Sequence, residues 1–121
     1  MVKISLCDEA EIIHLVCGFW PEENQVVMLA NENGSFVGYV AASVCGKKAE
    51  LFKLEDKNGD ITLLLVQGCL NVLERRGIEE VFCALAPLES LLLRLGFAPE
   101  GNGWKVCLKG YFAPGAHCTH K

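Results

Sequence analysis

The sequence has no C-x-x-C pair, no excess of basic residues and no apolar run long enough to cross a bilayer. Each absence removes a class of function. The seven cysteines, at positions 7, 17, 45, 69, 83, 107 and 118, are odd in number. Most sit in apolar runs such as LVCGF, GCLNVL, VFCAL and KVCLK. Buried free cysteine behaves as a small hydrophobe, so free thiols in a reducing compartment fit better than a disulfide framework. A net charge of −4 lacks the basic footprint of a nucleic-acid partner. The longest apolar stretch, 61–73, is interrupted by Thr62, Gln67, Gly68 and Asn71. It falls short of the roughly 20 residues a bilayer requires, so no membrane partner is expected. The first residues carry acids where a signal peptide keeps its apolar centre, so the expected location is cytoplasmic.

What is present suits a folded domain. Of the 121 residues, 51% are hydrophobic and 21% charged, which is ample apolar surface for one core. Residues 1–121 read as a single domain, with 113–121 expected to be a flexible tail.

Residues 2–6 alternate weakly as a first strand. Asp8 is a candidate N-cap for a helix over 9–19, ending between Gly18 and Pro21. A meander follows, with strands over 25–30, 35–44 and 48–55. The first pair is joined by Asn33-Gly34, the strongest short hairpin signal, and the second by a turn at 45–47. Asp60 is then expected to cap a helix from Ile61 to about Arg76. Its polar residues Gln67, Asn71 and Glu74 share one narrow face, so the rest should be deeply packed. A strand is expected over 78–85, parallel to its predecessor through a right-handed crossover. Pro87 reads as the N1 position of a helix with the stripe Leu88, Leu91, Leu92 and Leu95. After Gly96 and the turn PEGNG comes a last strand over 104–112. The fold class is α/β with a mixed sheet, in the order β-α-βββ-α-β-α-β.

Two passages carry a resemblance. One is the strand–loop–helix segment AELFKLEDKNGDITLLLVQGCLNVLERRGIEEVFCAL, and the other is the ending LLLRLGF. With the element order, they make the chain resemble the GNAT superfamily of acyl-CoA-dependent N-acyltransferases over about residues 25–97. The N-terminal part has room for one helix where that family has two.

The resemblance implies a GNAT-like acyl-CoA N-acyltransferase fold and acyl transfer from acetyl-CoA or another acyl-CoA to a small-molecule or peptide amine. It places donor contacts at Leu54, Asp56, Asn58, Gly59, Asp60, Ile61, Thr62, Ala84 and Leu85. It leaves Glu55 as the reasonable general base. Three departures stand against it. The family's Q/R-x-x-G-x-G/A loop cannot be placed on Asp56-Lys57-Asn58-Gly59-Asp60. The position of the family's proton-donating Tyr is Leu92. Finally, Glu55, Asp56 and Asp60 surround the expected diphosphate seat with only Lys57 opposing them. The alternative is a non-catalytic binding or oligomerisation module on the same fold, which would need no cofactor.

Other candidates have ordinary readings beside the functional ones. Glu50 is a weaker base than Glu55, and either could be a solvated strand acid. His117, Cys118 and His120 are zinc-ligand types, but H-C-x-H spacing is poor for one tetrahedral ion, and Cys107 would have to supply the fourth ligand. Cys83 as a nucleophile lacks a spaced His partner and reads as a core thiol. Gln67, Asn71, Glu74 and Arg75 read as a solvated strip before a partner surface. Trp20, Trp104, Tyr111 and Phe112 are core aromatics by default; Tyr111 and Phe112 could instead edge a pocket or a homodimer seam.

Overall fold

A computed structural model describes residues 1–85 and 88–111. The elements run β1 (Val2–Cys7), α1 (Ala10–Cys17), β2 (Gln25–Glu32), β3 (Ser35–Cys45), β4 (Lys48–Asp56), α2 (Thr62–Arg75), β5 (Glu80–Cys83), α3 (Glu89–Arg94), β6 (Ala98–Glu100) and β7 (Gly103–Cys107). The strands form one sheet in the order β1-β2-β3-β4-β5-β7-β6. Its pairs are antiparallel except β4 with β5, which is parallel. The expected mixed sheet, meander and β-α-β crossover are therefore present. Asn33 and Gly34 have φ of 54° and 86°, the left-handed geometry that a tight hairpin demands and that this dipeptide tolerates.

Four boundaries differ from expectation. Helix α1 starts later and ends earlier than 9–19, with Glu9, not Asp8, at its N-cap and no side-chain cap. Strand β5 has four residues instead of eight. The α3 N-cap is Leu88; Pro87 lies outside the described residues. Where one last strand was expected, PEGNG folds into the hairpin joining the short β6 to β7. The two glycines of that segment made it read as loop, but three residues of it reach across to pair.

The two faces of the sheet are closed differently. Under α2 and α3, Val26, Met28, Ala30, Val40, Ala42, Leu51, Val81 and Cys83 from the strands pack with Leu65, Val66, Cys69, Leu70, Leu73 and Leu92 from the helices. Along α2 the buried positions 65, 66, 69, 70 and 73 follow the i, i+4 period of one helix face. Gly68 brings α2 against β1, since a Cβ there would lie 3.0 Å from Ile4 Cγ2. On the other face, α1 covers only a small cluster of Ile13, Val27, Leu29, Tyr39 and Ala41, flanked by Phe19, Phe36 and Phe52.

Strand β4 carries a bulge. Ala42 pairs with Leu51 and Ala41 pairs with Lys53, so Phe52 is the extra residue. Leu51 and Leu54 belong to the α2 face, whereas Phe52 packs on the α1 face. Lys53 joins Phe52 there, its Nζ 4.9 Å from the centroid of Phe19. Two successive side chains on one face reset the alternation for the rest of the strand.

Candidate functional site

The reset alternation aims Glu55 and Asp56. Glu55 pairs with Tyr39 and shares its face, exposed to solvent. Asp56 turns the other way, toward the start of α2. Among the described residues, β4 beyond Leu51 has no partner on the β5 side, because the parallel ladder ends at Leu51 with Cys83. Residues 53–56 thus stay paired with β3, and 52–56 present an edge that no described residue pairs where β5 has ended. A strand that outruns its parallel neighbour leaves room beside it at their carboxyl ends.

The loop beyond β4 is closed by a single side chain. Asp56 Oδ1 accepts from the backbone N–H of Asn58 at 3.0 Å and of Gly59 at 2.6 Å. Its Oδ2 accepts from the N–H of Ile61 at 2.8 Å and from Thr62 Oγ1 at 2.8 Å. Burial alone would raise the Asp56 pKa. The bonds from Thr62, Ile61, Gly59 and Asn58 outweigh it and hold the carboxyl below its ordinary value. The assignment of Asp60 as the cap of α2 is therefore corrected: the N-cap position is Ile61, without a side-chain cap, and the carboxylate on the turn comes from Asp56. Sequence reasoning chose Asp60 because a cap normally directly precedes its helix. Asp56 reaches the same amides from the strand end. Gly59, at φ 83°, lets the chain bend back over that carboxylate.

The rest of the loop adds negative charge. Asn58 Nδ2 donates to Glu32 Oε1 at 3.0 Å, so a further acid stands beside the loop. Lys57, the one cation of the loop, lies with its Nζ 5.4 Å from the Phe36 ring centroid. These residues do not fit the diphosphate of coenzyme A. Three of the amides that would receive it are already bonded. Each nearby carboxylate would repel it by about 1–4 kcal/mol at ~4 Å near a surface.

The proposed donor contacts are split by this geometry. Asn58, Gly59, Ile61 and Thr62 are bonded to Asp56, Leu54 packs into the α2-side core, and Ala84 and Leu85 follow the end of β5. Leu92, which the resemblance sets at the family's acid position, is fully buried. Tyr111 is no substitute, because its hydroxyl donates to the Leu95 carbonyl and burial raises its pKa.

Around Glu55 the structure assembles residues that sequence reasoning did not single out. Tyr39 is pushed up by burial, then by the charges of Cys17 and Glu55. Cys17 is pushed up to about 12 by burial, with Cys7 and Glu55 adding to it. Phe19 and Phe52 meet edge to face at 6.1 Å. The signal for this group was the bulge, which no local pattern announces. Glu50 lies elsewhere, in a shallow concavity of ≈ 320 Å³ with Ser43, Lys48 and Phe82.

Cys83 is fully buried and its thiol is raised by burial, which disfavours the thiolate a nucleophile needs. Cys69 is pushed up to about 12 for the same reason. Trp104 packs on the core, whereas Trp20 is exposed and stacks on His14 at 4.1 Å. Gln67 is exposed and Asn71 and Glu74 half-buried, as a solvated strip would be. His117, Cys118, His120 and Phe112 lie outside the described residues, and Cys107 is exposed on β7. Among the described residues no group of His, Cys, Asp or Glu is placed to hold a metal. No described helix is long and apolar enough to cross a membrane.

No protein-family profile matches the sequence, and no curated protein matches it significantly. Solved structures do match. The ribosomal-protein-S18-alanine N-acetyltransferase from Escherichia coli superposes with a TM-score of 0.69 at 16% identity, over 89% of this chain and 94% of that one. The aminoglycoside 6'-N-acetyltransferase from Enterococcus faecium gives 0.69 at 12% identity, over 88% and 97%. The PaiA N-acetyltransferase from Thermoplasma acidophilum, solved in complex with coenzyme A, gives 0.59 at 17% identity, over 78% and 64%. With a mixed seven-stranded sheet whose one parallel pair is β4 with β5 and these structural neighbours, the chain has the GNAT acyl-CoA N-acyltransferase fold.

Proposed function

We propose that the protein transfers an acyl group from a thioester to an amine, with Glu55 as general base. The observation that carries this reading is the edge of β4 at residues 52–56 that no described residue pairs, with Glu55 exposed beside it. A thioester arm carrying amides can add to such an edge as a strand would. Glu55 accepts a proton from the amine as its nitrogen attacks the thioester carbonyl. The C–N bond forms, the C–S bond breaks, and the thiolate leaves with the electron pair. With Leu92 at the family's acid position, the thiolate takes its proton from water. The N-acetyltransferase neighbours support the reaction class, and an amine acceptor follows from it.

Thiol release from acetyl-CoA and from acetyl-pantetheine, measured over a panel of primary amines, tests the proposal. Amine-dependent release is expected, and Glu55→Gln should lower kcat/KM by about 10²-fold or more, the usual contribution of a general base. No release above background with any amine and either donor would refute it. A second reading, a non-catalytic module of the same fold, is favoured by the buried Leu92 and by the filled α2 turn. It predicts no release and no thioester binding.

A further inference from the structure

The Asp56 carboxylate stands on backbone amides at the turn into α2, the position where a helix start would otherwise receive a phosphate. We infer that Asp56 is an internal substitute for the donor's diphosphate, and that the chain selects pantetheine-type thioesters lacking a nucleoside diphosphate over coenzyme A thioesters. This rests on the acyl-transfer reading and names the donor class for it.

Three observations converge. Asp56 satisfies the N–H groups of Asn58, Gly59 and Ile61 and the Thr62 hydroxyl at 2.6–3.0 Å, so a diphosphate would have to displace an ionised carboxylate from four donors. Glu32 holds the Asn58 side chain at 3.0 Å, which ties the loop to β2 and adds a negative charge. The edge at residues 52–56 is untouched by either contact, since Asp56 turns from the last residue of β4 into the loop. The chain therefore keeps the surface that takes an uncharged, amide-bearing arm and has filled the one that takes its anionic end. Because the obstacle is charge, affinity should fall in step with the ligand's phosphate count.

Calorimetry with pantetheine, 4′-phosphopantetheine and coenzyme A against the wild-type protein tests the inference. The expected order of affinity is pantetheine, then 4′-phosphopantetheine, then coenzyme A, with at least a tenfold span. The span should contract as salt is raised from 0.05 to 0.5 M (about 14 to 4 Å of screening length). In Asp56→Asn the span should shrink at least threefold, mainly through tighter coenzyme A binding. If that variant does not fold, the salt series on the wild-type protein decides alone. Coenzyme A binding as tightly as pantetheine, or a span indifferent to salt, would overturn the inference while leaving acyl transfer standing. Failure of all three ligands to bind would sink the acyl-transfer reading, and this inference with it.

Discussion

The two faces of the sheet share the same strands but have opposite fates. Beneath α2, side chains from β2 to β7 meet two helices and exclude water. Leu65, Leu70, Leu73 and Val81 show no exposure. Beneath α1, one helix with a single fully buried residue, Ile13, covers only part of the sheet. Leu15 and Trp20 remain 81% and 58% exposed, and the β4–β5 half carries Lys48, Glu50 and Glu80. The difference separates two tasks. The α2 face holds the fold together, and the α1 face leaves Glu55 open to solvent.

The sharpest way to break this contrast is to cut into each face. Leu65→Ala or Leu70→Ala should cost about 2–5 kcal/mol in chemical denaturation, because a cavity opens in a packed core. Leu15→Ala should change stability by less than about 0.5 kcal/mol. Equal losses from the two faces would show that α1 is sealed by something further. Gly38 probes the seam between β3 and the start of α2. A Cβ there would press into the Glu55 carbonyl oxygen and sit 3.2 Å from Ile61 Cδ1. Gly38→Ala should therefore cost about 1–3 kcal/mol, as overpacking does.

Asp56→Asn should cost about 1–2 kcal/mol at pH 7, since it weakens charge-assisted bonds. The sign of the pH effect follows from the depressed pKa. The stabilisation by Asp56 is complete above the unfolded carboxyl value of about 3.9 and is lost as pH falls through the lower folded value. Denaturation midpoints of wild type and variant should thus converge below about pH 4. A constant gap down to pH 2 would mean that the loop is held by something other than charge. A small effect is also expected on the open half of the sheet. Lys105 bridges Glu80 and Glu100 at 3.8 Å, all partly or well exposed. Lys105→Ala should cost no more than about 1 kcal/mol, and less in high salt.

Most of the fold was legible because its signals are local. Asn33-Gly34 fixes the first hairpin, the apolar period of α2 fixes its buried face, and the change of period between β4 and α2 marks the crossover. The short β6 was not legible, since three residues bounded by Gly101 carry no period. At the candidate site, the carboxylate on the turn is Asp56 and not Asp60, and Glu55 faces the other side of the sheet. Capping by sequence proximity ignores a carboxylate that approaches from the preceding strand. Tyr39 was missed because its proximity to Glu55 depends on cross-strand register, a property of two strands at once, and Cys17 because it comes to Glu55 from a helix packed on the sheet.

One extra residue at Phe52 has a consequence for how this chain could change. Counting from Leu51, Glu55 falls on the open side and Asp56 on the helix side only because the tally between them is odd by one. Straightening the strand without removing a residue would exchange the two acids, turning Glu55 toward the helix side and Asp56 toward solvent, whereas loss of the Phe52 codon would leave both where they are. The two roles are thus inherited together, and neither can be moved along the strand without moving the other.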